Sequence, residues 1–97
     1  MLAKYVAEQS ISFDTAMCHL ARADEPDHLL NDEQASWFDE CVSDLARVGI
    51  APQRVHISNS AAALTRRDLS RDLVRTGIAI YGRTPAPSIG DFGLIRQ

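Results

Sequence analysis

Three short stretches of the chain put groups able to do chemistry where a strand gives way to a turn. Asn59-Ser60, inside RVHISNSAAAL, joins a hydroxyl to the free backbone N–H groups of a helix start, a ready arrangement for an anion. Ala61, Ala62 and Ala63 leave the approach unobstructed and favour helix. Taken alone, the pair is more simply an ordinary helix cap. Arg75-Thr76-Gly77-Ile78 sets a permanent charge and a glycine into an apolar run, LVRTGIAIY. Gly77 there implies a bulge or close approach by another group, with tight packing at least as good a reading. Arg75 needs a partner because an unpaired buried charge is prohibitive, and a salt bridge would serve as well as a ligand. His19 ends its strand and His56 lies on the next. Two histidines near one arginine form a hydrogen-bonded set that orients it. The chain has no His-x-x-x-His or Cys-x-x-Cys spacing, which argues against a metal site.

Positioning these groups is the task of the surrounding elements. Leu2 to Gln9 carries Leu2, Tyr5 and Val6 at helical spacing, the end of an amphipathic helix. Ser10 to Leu20 holds a strand candidate, Ile11 to Phe13 and then Ala16 to Leu20, and ARADEPD breaks regular structure. A helix is expected over Asn31 to Val48, with Asn31 as N-cap and Gln34 closing a capping box. Phe38, Cys41, Leu45 and Val48 give it an apolar face, widened by Trp37 and Val42, and Gly49 suits a left-handed C-terminal cap. A strand follows over Arg54 to Ser58, then a short helix capped by Asn59 or Ser60 and running through Leu64. Arg66, Arg67, Asp68, Arg71 and Asp72 read as a solvated connection, and Leu73 to Tyr81 as the strongest strand. TPAPSIGD reads as an exit linker and FGLIRQ as the opening of a further element.

Strands alternating with helices predict an α/β fold with a parallel sheet. Three parallel strands with covering helices close nothing and leave both outer edges open, so the expectation is part of a larger sheet or barrel. The 97 residues amount to one small domain or a piece of one. A net charge of −3 advertises neither nucleic acid nor anionic membrane as partner. The apolar runs are too short to span a bilayer, and Glu8 and Gln9 interrupt any secretory signal. Cys18 and Cys41 fit no motif and read as thiols of a reducing cytoplasm. Nine of the ten basic residues are arginine, and Lys4 is the only lysine.

In parallel α/β folds ligands gather at the carboxyl ends of strands, and (β/α)8 barrels commonly hold a phosphate there against a helix N-terminus. Ser60 and Gly77 follow that geometry. MCHLARADEPD, VHISNSAAAL and DLVRTGIAIYGRTP, in this order and spacing, resemble the alanine racemases from about Phe13 to Pro85. The resemblance implies a partial (β/α)8 TIM barrel spanning the last three strands, with pyridoxal 5'-phosphate (PLP) as cofactor. Ser60, Gly77 and Ile78 would hold the cofactor phosphate, with Asn59 beside them. Arg75 would hydrogen-bond the pyridine nitrogen, His56 would position Arg75, and His19 would lie near the ring. An arginine there keeps the ring nitrogen unprotonated and the ring a weaker electron sink, which disfavours transamination relative to racemization.

The same resemblance implies a cytoplasmic homodimer interconverting L- and D-alanine for cell-wall precursors. The family's Schiff-base lysine belongs to the first barrel strand and its tyrosine base to the partner subunit's C-terminal β domain. Lys4 and Tyr81 match neither. Residues 1–84 are therefore expected to be a partial barrel domain and 85–97 an exit linker, the chain carrying cofactor contacts without either base and being inactive alone. Ser58 and Thr76 stand where the family often has alanine and proline. Alternatives are a non-catalytic PLP- or phosphate-binding fragment, a half-barrel completed by a partner, and a serine racemase relative.

Overall fold

The computed structural model describes residues 12–86. The helix expected over Leu2 to Gln9, Ile11 of the first strand candidate, and FGLIRQ lie outside the described residues. Within them, β1 (Thr15–Met17) leads through the ARADEPD turns to α1 (Leu29–Arg47), then β2 (Arg54–His56) and α2 (Ser60–Thr65). Two 3-10 turns follow, Arg67–Leu69 and Ile78–Tyr81.

β1 and β2 pair in parallel, Thr15 with Arg54, Ala16 with Val55 and Met17 with His56, which bears out the βαβ reading. Both ends of the pair are fastened. The Asp14 carbonyl accepts from the Gln53 and Arg54 N–H groups, and the Cys18 N–H donates to the His56 carbonyl at 3.1 Å. The core sits between this sheet and the helices. Ile57, fully buried, packs in a cluster with Leu20, Leu69 and four alanines, Ala23, Ala35, Ala61 and Ala62.

α1 departs from expectation at its start. Its N-cap is His28, whose Nδ1 accepts from the Leu30 N–H at 3.1 Å, and not Asn31. Asn31 is fully buried and its amide donates to the carbonyls of Glu25 and Pro26, fastening the preceding turn to the helix. Gln34 closes no capping box either, since its side-chain oxygen accepts from the Ala21 N–H. The two side chains pair main-chain groups of the turn that have no ladder partner. The far end follows the sequence. Gly49 has φ +85°, its N–H reaches the Ala46 carbonyl, and the Ile50 N–H reaches the Leu45 carbonyl, the paired bonds of a Schellman cap.

The buried face of α1 runs through Asn31, Ala35, Phe38, Val42 and Leu45, at alternating steps of four and three. Trp37, Cys41 and Val48, expected on that face, are exposed, Trp37 at 56%. The stripe is rotated toward Ala35, whose short side chain lets the helix approach the alanine-rich core.

The segment expected as a third strand is not one. Leu73 to Thr76 runs beside β2, joined by the Asp72 N–H to the Val55 carbonyl and the Arg75 N–H to the Ser58 carbonyl. These bonds lie three residues apart, whereas a parallel ladder repeats every two. The Val55 N–H, which a continuing ladder would give to a main-chain carbonyl, donates instead to the Asp72 carboxylate. At Gly77 the chain turns into the second 3-10 helix, which Gly82 ends at φ +76°. The sheet among the described residues therefore has two strands. The connection over 66–72 is exposed at Arg67, Asp68 and Asp72, as expected, but is fastened elsewhere. Leu69 is buried in the core, Arg66 binds Asp32, Asp68 and the Pro26 carbonyl, and Arg71 binds Asp39 of α1.

Candidate functional site

The carboxyl ends of β1 and β2 face a cleft of about 550 Å³, lined among others by His19, Asn59, Ser60, Arg75, Gly77 and Ile78. Six of the seven candidate residues thus come together. The seventh, His56, is 8% exposed, does not line the cleft, and has an Nδ1 without a partner among the described residues.

Arg75 spans the strand ends. One terminal nitrogen, Nη2, donates to the carbonyls of Cys18, just past β1, at 2.8 Å and of Ile57, just past β2, at 2.9 Å. The other, Nη1, lies 3.4 Å from His19 Nδ1. A guanidinium only donates, so this contact requires the His19 tautomer with Nδ1 as acceptor. Arg75 thus meets its need for partners with carbonyl oxygens and one imidazole, and a salt bridge is not among its described contacts. Its described hydrogen bonds do not reach His56. Of the donors left over, Nε is buried and has no acceptor among the described residues. Buried polar groups are normally paired, so this donor stands out beside the cleft that Arg75 lines.

Ser60 and the second 3-10 turn form the other wall. Ser60 is 5% exposed, and its hydroxyl accepts from the Ala79 N–H at 3.3 Å, leaving its own proton to donate. The first N–H groups of such a turn lack acceptors within it, so once Ala79 is paired with Ser60, the Ile78 amide is left without an acceptor among the described residues. Asn59 is the N-cap of α2, its side chain accepting from the Ala62 N–H at 3.1 Å. Of the two residues expected as cap, Asn59 takes the task and Ser60 is freed from it.

Gly77 settles a question the sequence left open. A Cβ built there meets nothing within 4 Å, and its φ of −91° is open to any residue. Neither packing nor a left-handed φ demands glycine there, and the residue lines the cleft. Burial pushes the Cys18 thiol above its ordinary value while nearby Arg75 opposes the shift. Among the described residues no three His, Cys, Asp or Glu side chains gather as a metal-binding group.

Sequence reasoning missed the two carbonyls that hold Arg75, and Asp72. Carbonyls carry no residue signature, so no signal could have found them. Asp72 was visible, but as one charge among five in an apparently solvated run.

Comparison with known proteins places the chain in a family. A family model described as "Alanine racemase, N-terminal domain" matches residues 1–85. The chain is 53% identical over 78 residues to alanine racemase of Mycolicibacterium vanbaalenii, covering 80% of this chain and 20% of the relative. It is 40% identical over 94 residues to alanine racemase of Mycobacterium tuberculosis, covering 97% and 24%. The crystal structure of alanine racemase from D-cycloserine producing Streptomyces lavendulae superposes with a TM-score of 0.93 at 35% identity, covering 98% of this chain and 26% of that one. The chain spans about a quarter or less of the length of the curated relatives it matches.

Proposed function

Because this chain belongs to the alanine racemase family, we propose that its cleft is the phosphate and ring-nitrogen side of a PLP site in an enzyme that interconverts L- and D-alanine. The observation that carries the reading is Arg75: a guanidinium fixed on two strand-end carbonyls, with a buried Nε–H that no described protein atom accepts. An aromatic nitrogen is a fitting acceptor for that donor. Ser60 and the Ile78 amide, beside the unfilled space at Gly77, suit a phosphate. The group thus fits the residues present.

When bound, PLP supplies an electron sink for labilising the substrate's α-hydrogen. This chain's residues hold and tune. Arg75 keeps its proton, so an acceptor facing it stays unprotonated. Ser60 and Ile78 donate to the anionic end, and Asn59 holds the start of α2 in place. His19 faces the same cleft and steadies Arg75, and His56 is read as a more remote support for that arginine. The one lysine, Lys4, does not match the family's Schiff-base position in sequence, so the reading assigns this chain cofactor contacts and no proton-transferring base.

Residues 1–84 are read as a partial barrel domain and 85–97 as an exit linker. The reading carries with it an amino-acid substrate, a homodimeric complete enzyme in the cytoplasm, and D-alanine for cell-wall precursors. Alanine is favoured over serine because the relatives are named for alanine, and one similar structure, from Bacillus anthracis, carries bound L-Ala-P.

The test is a far-UV circular dichroism melt of the chain with and without PLP. Ligand that binds only the folded state raises the midpoint, by roughly 4–8 °C at about five times Kd for a chain of this size. Ser60→Ala and Arg75→Ala should each abolish most of that rise. A melt indifferent to PLP would refute the proposed cofactor site.

A further inference from the structure

A side chain outside the cleft sets the position of Arg75 within it. Asp72 makes two bonds to one residue of β2: its N–H donates to the Val55 carbonyl at 3.0 Å, and its carboxylate accepts from the Val55 N–H at 2.7 Å. Three residues on, the Arg75 N–H donates to the Ser58 carbonyl at 2.9 Å, and Ser58 lies three residues beyond Val55. Both anchor points therefore share a single register. No regular ladder continues between them, so the alignment of this segment rests on its two ends. The carboxylate bond is charge-assisted and the stronger kind. Side chains of an extended segment alternate between faces, so a slip of one residue would swing the Arg75 guanidinium away from the Cys18 and Ile57 carbonyls. Arg71, the preceding residue, binds Asp39 on α1 at 2.9 Å. The pair fixes the entry to the segment against both layers.

We propose that Asp72 is a positioning residue for Arg75, locking the register that delivers the guanidinium to the cofactor. The functional consequence rests on the ring-nitrogen reading of Arg75, but the register itself is tested separately. Amide hydrogen exchange is followed by NMR on the full chain, alongside a PLP titration by absorbance. In Asp72→Ala the Val55 and Arg75 amides should exchange roughly tenfold faster, the equivalent of one lost hydrogen bond. The Cys18 amide, bonded to His56 across β1 and β2, should keep its wild-type rate, while PLP affinity falls by a similar factor. Asp72→Asn retains an oxygen acceptor for Val55 and should restore both Arg75 protection and PLP affinity most of the way.

Unchanged Arg75 protection in Asp72→Ala would overturn the proposal. So would equal acceleration of the Cys18 and Arg75 amides, which would mark Asp72 as a general stability residue, or an Asp72→Asn chain as impaired as Asp72→Ala. If Arg75→Ala leaves PLP affinity intact, the ring-nitrogen reading fails instead, and the exchange rates still decide whether Asp72 holds Arg75.

Discussion

Gly77 and Asn59 look alike in the sequence, each a small residue at a chain reversal, yet they do different work. Asn59 holds a helix end: its side chain satisfies the Ala62 N–H. Asn59→Ala should cost about 1 kcal/mol in a urea titration, and Asn59→Asp should recover most of it. Gly77 holds nothing up. With open space where an added methyl would sit and an ordinary backbone conformation, Gly77→Ala should leave the folding free energy from a urea titration within about 0.5 kcal/mol of wild type. Its penalty is expected in PLP binding, as a smaller rise of the melting midpoint. A full wild-type rise in Gly77→Ala would remove this glycine from the cofactor site.

The elements are short, and side chains that cross between them do much of the fastening. Arg66 is the main example: immediately beyond α2, it joins the first turn of α1 through Asp32, the following 3-10 turn through Asp68, and the loop before α1 through the Pro26 carbonyl. Its side chain is 17% exposed, while both carboxylates are more than half exposed. Solvent screening on the acid side keeps the expected loss in Arg66→Met to about 1–2 kcal/mol, below the cost of breaking a fully buried pair. Urea unfolding measures the loss. Added salt should narrow the gap between the two proteins only in part, because the bond to the Pro26 carbonyl is not an ion pair.

Over the whole molecule, the ion pairs that tie the chain together give stability a direction in pH. The Arg54 guanidinium holds the Asp14 carboxyl below its ordinary value of 3.8, and Arg66 does the same for Asp68. A carboxyl depressed in the folded state contributes stability above its unfolded pKa and loses it as pH falls through the folded one. The melting midpoint should therefore be level above about pH 5 and fall below about pH 4. In Arg66→Met the midpoint should be lower at neutral pH and should drop less on acidification, since Asp68 then loses the main cause of its depressed value. Melts recorded across this range would show it.

What the sequence by itself determined is local. The strand-turn-helix at Asn59 and the long helix with its glycine cap follow from the types and spacing of neighbours, because caps, periodicity and turn chemistry act within a few residues, while the family rests on the resemblance of three motifs. The cleft-lining set was legible for the same reason: His19, Ser60, Arg75, Gly77 and Ile78 stand near strand ends. Only the tertiary structure decided what holds them. Arg75 rests on the carbonyl of Cys18, 57 residues away, and on that of Ile57. Asn31 was taken from its cap by a turn that needed its amide, and Leu73 to Thr76 lost its ladder to the Asp72 carboxylate. Every residue has a carbonyl, so nothing in the letters says which one a distant guanidinium will find. That is fixed when burial forces each polar group to take the nearest partner the packed chain offers.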